Sequence, residues 1–369
     1  MRYYLIAGEA SGDLHGSNLI KQILVIDTNA TIRAWGGDMM ETAGATLVKH
    51  YRDLAFMGFI EVIKHLGTIL KNIKFCKQDI LDMAPDVLVL IDYPGFNMRI
   101  AEWAKKQGIK ILWYISPQVW AWKANRVEKL KRDVDVMLVI LPFEVDFYKK
   151  RKVTVQYVGH PLIEVIEKEK LQAPLQSISN KPIIALLPGS RKQEIQQKLP
   201  VMLQMVKHFP DHQFVIAQAP SMPDEVYYEW IKDEPILLVK NQTYSLLKQA
   251  KAALVTSGTA TLETALFGVP QVVCYRGNPI SYWLAKKLIH IKYISLVNLI
   301  MDKPVIKELI QNELNEATLK YELMQLLKEG DYRDTMLQDY KALWHLLGDQ
   351  SASTLTAEAV IRLAHTTKA

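Results

Sequence analysis

Two α/β domains in tandem, each a doubly wound parallel sheet, are predicted by three observations. Short apolar runs alternate with amphipathic segments along nearly all of the 369 residues. Those runs are almost continuously apolar, which is the pattern of strands whose sheet is covered on both faces. The series breaks once, at 162–182, where LIEVIEKEKLQAPLQSISNKP turns charged and then polar. We read that stretch as an interdomain connection and divide the chain into 1–165, 166–340 and a helical tail, 341–369.

Taken in order, the first series places strands at 3–7, 32–35, 87–91, 110–114, 136–141 and 155–158. Helical stretches at 14–25 and 100–107 lie between them. The second series places strands at 183–187, 214–217, 236–239, 253–256 and 271–275. Beyond about residue 313 the pattern is helical throughout, and STLTAEAVIRLA has a Ser/Thr start and an apolar stripe. No internal repeat is visible.

The chain is long enough for two separate cores, and 49% of its residues are hydrophobic. The formal net charge of +6 suits anionic ligands or an anionic membrane surface and does not indicate nucleic acid. Cys76 and Cys274 stand far apart with no CxxC spacing. No disulfide framework or zinc set is therefore expected, and a reducing compartment is. MRYYLIAGEASGD lacks the apolar stretch of a signal peptide. No apolar window of about 18 or more residues predicts a membrane-spanning helix.

In open parallel sheets, ligands bind outside the carboxyl ends of the strands, so those loops are where chemistry is expected. VLVLIDYPGFN (87–97) ends an apolar strand on a lone carboxylate, Asp92, and Pro94 forbids the strand from continuing. LIAGEASGDLHG (5–16) is a glycine-rich strand–helix turn in which Ser11 or Asp13 can cap the helix. It is not GxGxxG, and Glu9 and Asp13 would repel a pyrophosphate. A capped turn and a role in binding the other substrate, through Glu9, Ser11, Gly12 and Asp13, fit it equally well.

LLPGSR (186–191) puts Gly189, Ser190 and Arg191 at the start of a helix expected from about Lys192. Outward-pointing N–H groups and a guanidinium fork there favour phosphate. VTSGTATLETALFGVP (255–270) repeats the logic with Ser257, Gly258 and Thr259. Glu263, about one turn in, either holds ribose hydroxyls or complements the helix dipole. FMGFIEVIKHLGTILKNIKF (56–75) is strongly amphipathic, with Phe59, Val62, Ile63, Leu66, Ile69, Leu70 and Ile73 on one side. As residues alone it reads best as a buried helix. The competing reading is an apolar lip that enters a membrane surface, its lysines meeting anionic lipid. RDVDV (132–136) has the DxD spacing of metal-dependent sugar transferases, but a helix end followed by a strand explains it. The nine histidines show no metal-ligand spacing. Trp120 and Trp122, in SPQVWAWK, either stack on a sugar or fill the domain edge.

Together these segments resemble the lipid-A-disaccharide synthase family of inverting glycosyltransferases. The resemblance is carried in order by GEASGDLHG, FMGFIEV, IDYPGFN, YISPQVWAWK, LPFE and VGHPL. It continues through LLPGSR, SGTATLE, YWLAKKLI, YISLVNLI and KELIQ. It implies two Rossmann-like domains facing across a cleft (the GT-B arrangement). It also implies transfer of 2,3-diacylglucosamine from UDP-2,3-diacylglucosamine to the 6-hydroxyl of 2,3-diacylglucosamine 1-phosphate (lipid X), with no cofactor and no metal. Asp92 matches the family's essential aspartate, as general base, and Arg191 its essential arginine. Gly189 to Arg191, Ser257 to Thr259, Glu263 and Asn298 fall in segments matched to the UDP side. Phe59, Ile63, Leu66 and Leu70 become membrane or acyl-chain contacts. Many relatives carry a second aspartate where this chain has Gly95, which leaves Asp92 as the only acid in its loop.

The resemblance further implies a cytoplasmic protein peripherally associated with the inner membrane, and a helical tail that either packs back on the N-terminal domain or is exchanged in a homodimer. Two rival readings remain. One is a UDP-N-acetylglucosamine 2-epimerase-like enzyme on the same fold, and the other a non-catalytic peripheral nucleotide-binding protein.

Overall fold

The computed structural model describes residues 1–54, 66–120, 126–173, 176–231, 235–278, 292–348 and 350–366. Phe59, Val62, Ile63 and Trp122 lie outside the described residues, as does the Leu66 side chain. The chain forms two compact units. One comprises residues 1–161 with 349–369, the other residues 162–348.

In the first unit the order is β1 (Arg2–Ala7), α1 (Ala10–Ile26), β2 (Thr31–Gly36), α2 (Asp38–Thr42) and β3 (Thr46–His50). After these come α3 (Leu66–Met83), β4 (Val87–Ile91), α4 (Pro94–Lys106), β5 (Ile111–Tyr114) and α5 (Val127–Asp133). Then come β6 (Val136–Val139), α6 (Pro142–Lys149) and β7 (Gln156–Tyr157). The second unit runs α7 (Leu162–Leu171), β8 (Ile183–Leu187), α8 (Lys192–Leu203), β9 (Gln213–Gln218), α9 (Glu225–Ile231) and β10 (Ile236–Lys240). It continues with α10 (Thr243–Gln249), β11 (Ala250–Thr256), α11 (Thr259–Leu266), β12 (Gln271–Tyr275), α12 (Leu296–Met301) and β13 (Glu308–Ile310). It closes with α13 (Glu316–Leu327) and α14 (Asp331–Leu347). A last helix, α15 (Ala352–His365), returns to the first unit.

Both sheets are parallel. The first has the order β3-β2-β1-β4-β5-β6-β7 and the second β10-β9-β8-β11-β12-β13. In each, the chain starts in the middle, winds out to one edge, and crosses back to fill the other. The strand order therefore reverses between β1 and β4, and again between β8 and β11. Helices leave in opposite directions at that point and open a crevice at the strand carboxyl ends.

Alternation along the first unit's strands explains why they read as continuously apolar. Tyr4, Ile6, Leu88 and Leu90 join one core cluster, while Tyr3, Leu5, Val87 and Val89 join the other. One face is covered by α3 through Ile73, Cys76 and Ile80, the other by α1 and by Ala357 and Val360 of α15.

Four sequence expectations are corrected. β3 and β13 were not predicted. β3 is a half-buried edge strand and β13 has three residues, so neither carries an apolar run. α1 begins at Ala10, not residue 14, because its first turn is built of small polar residues with no apolar period. Pro94 does more than end a strand: it stands in the first turn of α4, where its missing N–H costs nothing. The start of the presumed connection is helix α7, with Leu162, Ile163 and Ile166 buried.

Candidate active site

The crevice between β1 and β4 holds Asp92. Ala7 pairs with Ile91 across the two strands, so the loops that follow them start side by side. Asp92 and Tyr93 both adopt left-handed backbone conformations, with φ of 45° and 50°. Such strain persists only where its surroundings hold it. Here the buried Asn97 amide donates to the carbonyls of Ile91, at 3.4 Å, and Asp92, at 2.8 Å, while the Asp92 N–H donates to the Tyr114 carbonyl at 3.0 Å. The Tyr93 ring occupies the space above Gly8, where a Cβ would come within 2.3 Å of it. Glycine at position 8 is thus required by the neighbouring loop.

Burial pushes the Asp92 carboxyl up to about 6, and the charge of Glu9 adds to the rise. The sequence alone gives an ordinary aspartate, and the structure corrects that. The residues grouped with Glu9 separate by role. Glu9 and Ser11 are exposed, whereas Gly12 and Asp13 are buried. Asp13 caps a helix, but not its own. Its Oδ1 accepts from the N–H of Gly37 at 2.8 Å and Met40 at 3.0 Å, and its Oδ2 from Met39 at 3.2 Å, at the start of α2. α1 has no side-chain cap.

Elsewhere in this unit, SPQVW and LPFE meet at Glu144, which sequence reasoning missed. This buried carboxylate accepts from the Ser116 hydroxyl at 2.7 Å, the Trp120 indole at 3.2 Å and the Leu141 N–H at 3.0 Å. Burial raises it to about 7. Of the DxD pair, Asp133 is gripped by Arg132, and Asp135 accepts from Lys105 and the Ile111 N–H. On α3, Ile69, Ile73, Cys76, Ile80 and Met83 form the inward stripe. Leu70 falls outside that stripe and is 55% exposed.

In the second unit, a cavity of about 510 Å³ opens at the β8/β11 crevice. It gathers Gly189, Ser190, Arg191, Ser257, Gly258, Thr259 and Glu263. Gly189 has φ of 121°, and a Cβ there would lie 2.4 Å from Glu194, so only glycine lets this loop close over the helix start. Arg191 is the N-cap of α8, with an exposed side chain at 3.9 Å from Glu194. The Ser257 hydroxyl donates to the Ile294 carbonyl at 2.8 Å, which ties down the loop that lines the cavity. Tyr244 donates to Glu263 Oε1 at 2.8 Å, and burial raises the Glu263 carboxyl.

Asn298 does not join this group. It is 1% exposed, its amide donates to the Ile306 carbonyl and Glu308, and its Oδ1 accepts from the Ile306 N–H. Both ends are used to tie α12 to the strand region before β13. Sequence reasoning missed Thr256, Gln218, Thr243 and Glu194, which also line the cavity. Thr256 directly precedes the SGT motif. Glu194 stands in the first turn of α8, just past Arg191, while Gln218 ends β9 and Thr243 begins α10, and the fold brings them to the same cavity.

The family described as lipid-A-disaccharide synthetase matches residues 3–361. A lipid-A-disaccharide synthase of Trichlorobacter lovleyi is 36% identical over 98% of this chain and 97% of that protein. One from Nitrosococcus oceani is 37% identical over 97% and 95%. Among solved structures, a UDP-GlcNAc 2-epimerase from Neisseria meningitidis bound to UDP-GlcNAc superposes with a TM-score of 0.68 at 13% identity, covering 98% of this chain and 100% of that one. The glycotransferase of kitacinnamycin gives 0.67 at 14%, covering 98% of each. Those two structures share the paired α/β fold, and at such identity the likeness is one of fold alone. The sequence match is of another kind, since it spans both units and every motif described above: this chain belongs to the lipid-A-disaccharide synthase family of glycosyltransferases.

Proposed function

We propose that the enzyme transfers 2,3-diacylglucosamine from UDP-2,3-diacylglucosamine to the 6-hydroxyl of 2,3-diacylglucosamine 1-phosphate, with inversion. The observation that carries this reading is the family match across residues 3–361, because the fold alone also fits epimerases. The site geometry supports a division of labour. The acceptor half of the chemistry belongs to the first unit, the donor half to the second.

An alcohol becomes a useful nucleophile only as its proton leaves, so a carboxylate within hydrogen-bond reach is needed. Asp92 is that base. Its carboxyl, raised to about 6, is still mostly ionised at neutral pH and accepts a proton more readily than an ordinary aspartate. The acceptor oxygen bonds to the anomeric carbon as the bond to UDP breaks. The proton passes to Asp92 and the electron pair to the diphosphate. That growing negative charge is met by Arg191 and by the backbone N–H groups at Ser257–Thr259. Glu263, with one oxygen held by Tyr244, offers the other to the ribose hydroxyls.

The substrates are acylated, so the enzyme has to work at a membrane surface. The exposed Leu70 beside Lys71 and Lys74 supports a contact there. No helix among the described residues is long and apolar enough to cross a membrane. Homodimers formed by exchange of α15 would keep the same contacts that α15 makes within one chain.

The test is product formation. Purified protein is mixed in detergent with UDP-2,3-diacylglucosamine, 2,3-diacylglucosamine 1-phosphate and EDTA, and the lipids are read by mass spectrometry. A disaccharide 1-phosphate is expected, and Asp92→Asn should abolish it while UDP still binds. Unchanged lipids, with or without added magnesium, would overturn the reading. Epimerised UDP-sugar formed without any acceptor would replace it.

A further inference from the structure

A buried cation is costly unless something pairs with it. Lys198 is such a cation, 3% exposed on α8, two helical turns after Arg191 and on the same face. Among the described residues it forms no ion pair with a carboxylate. Its Nζ donates to Thr256 Oγ1 and lies 5.9 Å from the centre of the Tyr275 ring. Burial holds its ammonium below the ordinary range, with Glu194 opposing that shift.

The hydrogen-bond inventory then points outward. An ammonium has three protons, and this one spends one of them on Thr256. The Thr256 hydroxyl, having accepted from Lys198, retains its own proton to donate. Among the described residues that hydroxyl donates to no protein acceptor. Thr256 lines the 510 Å³ cavity, next to Ser257 at the start of the anion-facing loop. A hydroxyl polarised by a buried positive charge, on a residue that lines a cavity, is complementary to an anion.

We propose that Thr256 donates to a phosphate oxygen of the nucleoside diphosphate, and that Lys198 is the positioning residue behind it. Lys198 keeps the hydroxyl proton directed into the cavity and sets positive charge beneath the diphosphate. This inference rests on the reading of the cavity as the UDP site, and it adds a layer of charge that the LLPGSR and SGT motifs do not contain.

The experiment is calorimetric titration of the full chain with UDP, UMP and uridine. The variants are Lys198→Met, Thr256→Val, Thr256→Ser and Arg191→Ala, and thermal unfolding is measured without ligand. A charge-assisted hydrogen bond sets the expected loss of UDP affinity at roughly tenfold or more for Lys198→Met and for Thr256→Val. The double variant should bind about as weakly as either single one, because the two act as a unit. Thr256→Ser, which keeps the hydroxyl, should stay within roughly threefold of the parent, and uridine affinity should not move. The ligand-free unfolding temperature of Lys198→Met should hold or rise, since a buried unpaired charge has been removed.

UDP affinity unchanged in both Lys198→Met and Thr256→Val, but lost in Arg191→Ala, would overturn the inference and leave the cavity reading intact. Failure of the parent protein to bind UDP would overturn that reading and this inference with it. If Lys198→Met does not fold, Thr256→Val against Thr256→Ser decides alone, with equal binding by the two overturning the proposal.

Discussion

Asp92 joins two properties that pull in opposite directions. Burial and the Glu9 charge make it a stronger base, and the same factors make its charge unwelcome in the folded chain. An aspartate raised from 3.8 to about 6 holds its proton more tightly when folded than when unfolded. Its contribution to stability is therefore fully present below the unfolded value and is lost as pH rises through about 6, opposite to a salt-bridged carboxylate. The catalytic use proposed for it runs the other way, because a base must be ionised. The acid limb of kcat/KM is expected near pH 6, and Glu9→Gln should move it to lower pH by removing the like charge. A limb that stays in place in that variant would show that Glu9 does not act on Asp92. The position of Asp92 was legible from the sequence, as a polar residue ending an apolar run before Pro94. Its altered acidity was not, because the burial that chiefly raises it, and the Glu9 charge that adds to it, arise only when the fold brings distant segments together. Asn97 was hidden for the same reason: nothing in the sequence marks an asparagine that spans two carbonyls of a left-handed turn.

At the scale of elements, the turn after β1 shows how a motif can be read correctly as a turn and wrongly in its parts. Its carboxylate caps α2, the next helix in the chain. Asp13→Ala should cost about 2–3 kcal/mol in denaturant unfolding, since three backbone N–H groups lose a charged acceptor inside the core. Asp13→Asn should recover part of that. If Asp13→Ala keeps full stability and loses only acceptor binding, the capping role is wrong. α3 divides its apolar residues in a similar way. The sequence put Ile69, Leu70 and Ile73 on one side, but packing takes the stripe through Ile69 and Ile73 and leaves Leu70 beyond its edge. Leu70→Ser should therefore weaken sedimentation with anionic vesicles without lowering the unfolding temperature, whereas Ile73→Ser should destabilise the fold. Equal vesicle binding by the parent and Leu70→Ser would remove Leu70 as a membrane contact.

At the scale of the molecule, the two sheets share a plan that the sequence does not show as a repeat. Strand order is set by apolar runs and crossover handedness, which many sequences satisfy, so two halves can match in topology with no matching residues. The parallel α/β class was legible for that reason. The edges were not, because edge strands such as β3 lack the long apolar runs of the centre. For the last helix the sequence left two destinations open, packing back on the first domain or exchange in a dimer, and within this chain it packs back. α15 lays Ala357, Ala359, Val360 and Ala364 into the first unit's core, and Lys110 donates to its final carbonyls, as suits a cation at a helix C-terminus. Removing residues 349–369 should destabilise the first unit, with faster hydrogen exchange along α1 and unchanged exchange along β8 and β11. Full protection of α1 in the shortened chain would show that α15 is dispensable for that core.

That returning helix also sets an order of events during synthesis. The first unit is begun first, but α15 is made only after the whole second unit has been synthesised. At about 5–20 residues per second, the wait is roughly ten to forty seconds. Throughout it, the apolar surface of α1 that α15 will cover stays open to whichever binding partner reaches it first. The first unit is finished only once α15 has been made, so a ribosome that stalls late in the second unit leaves the earlier domain incomplete.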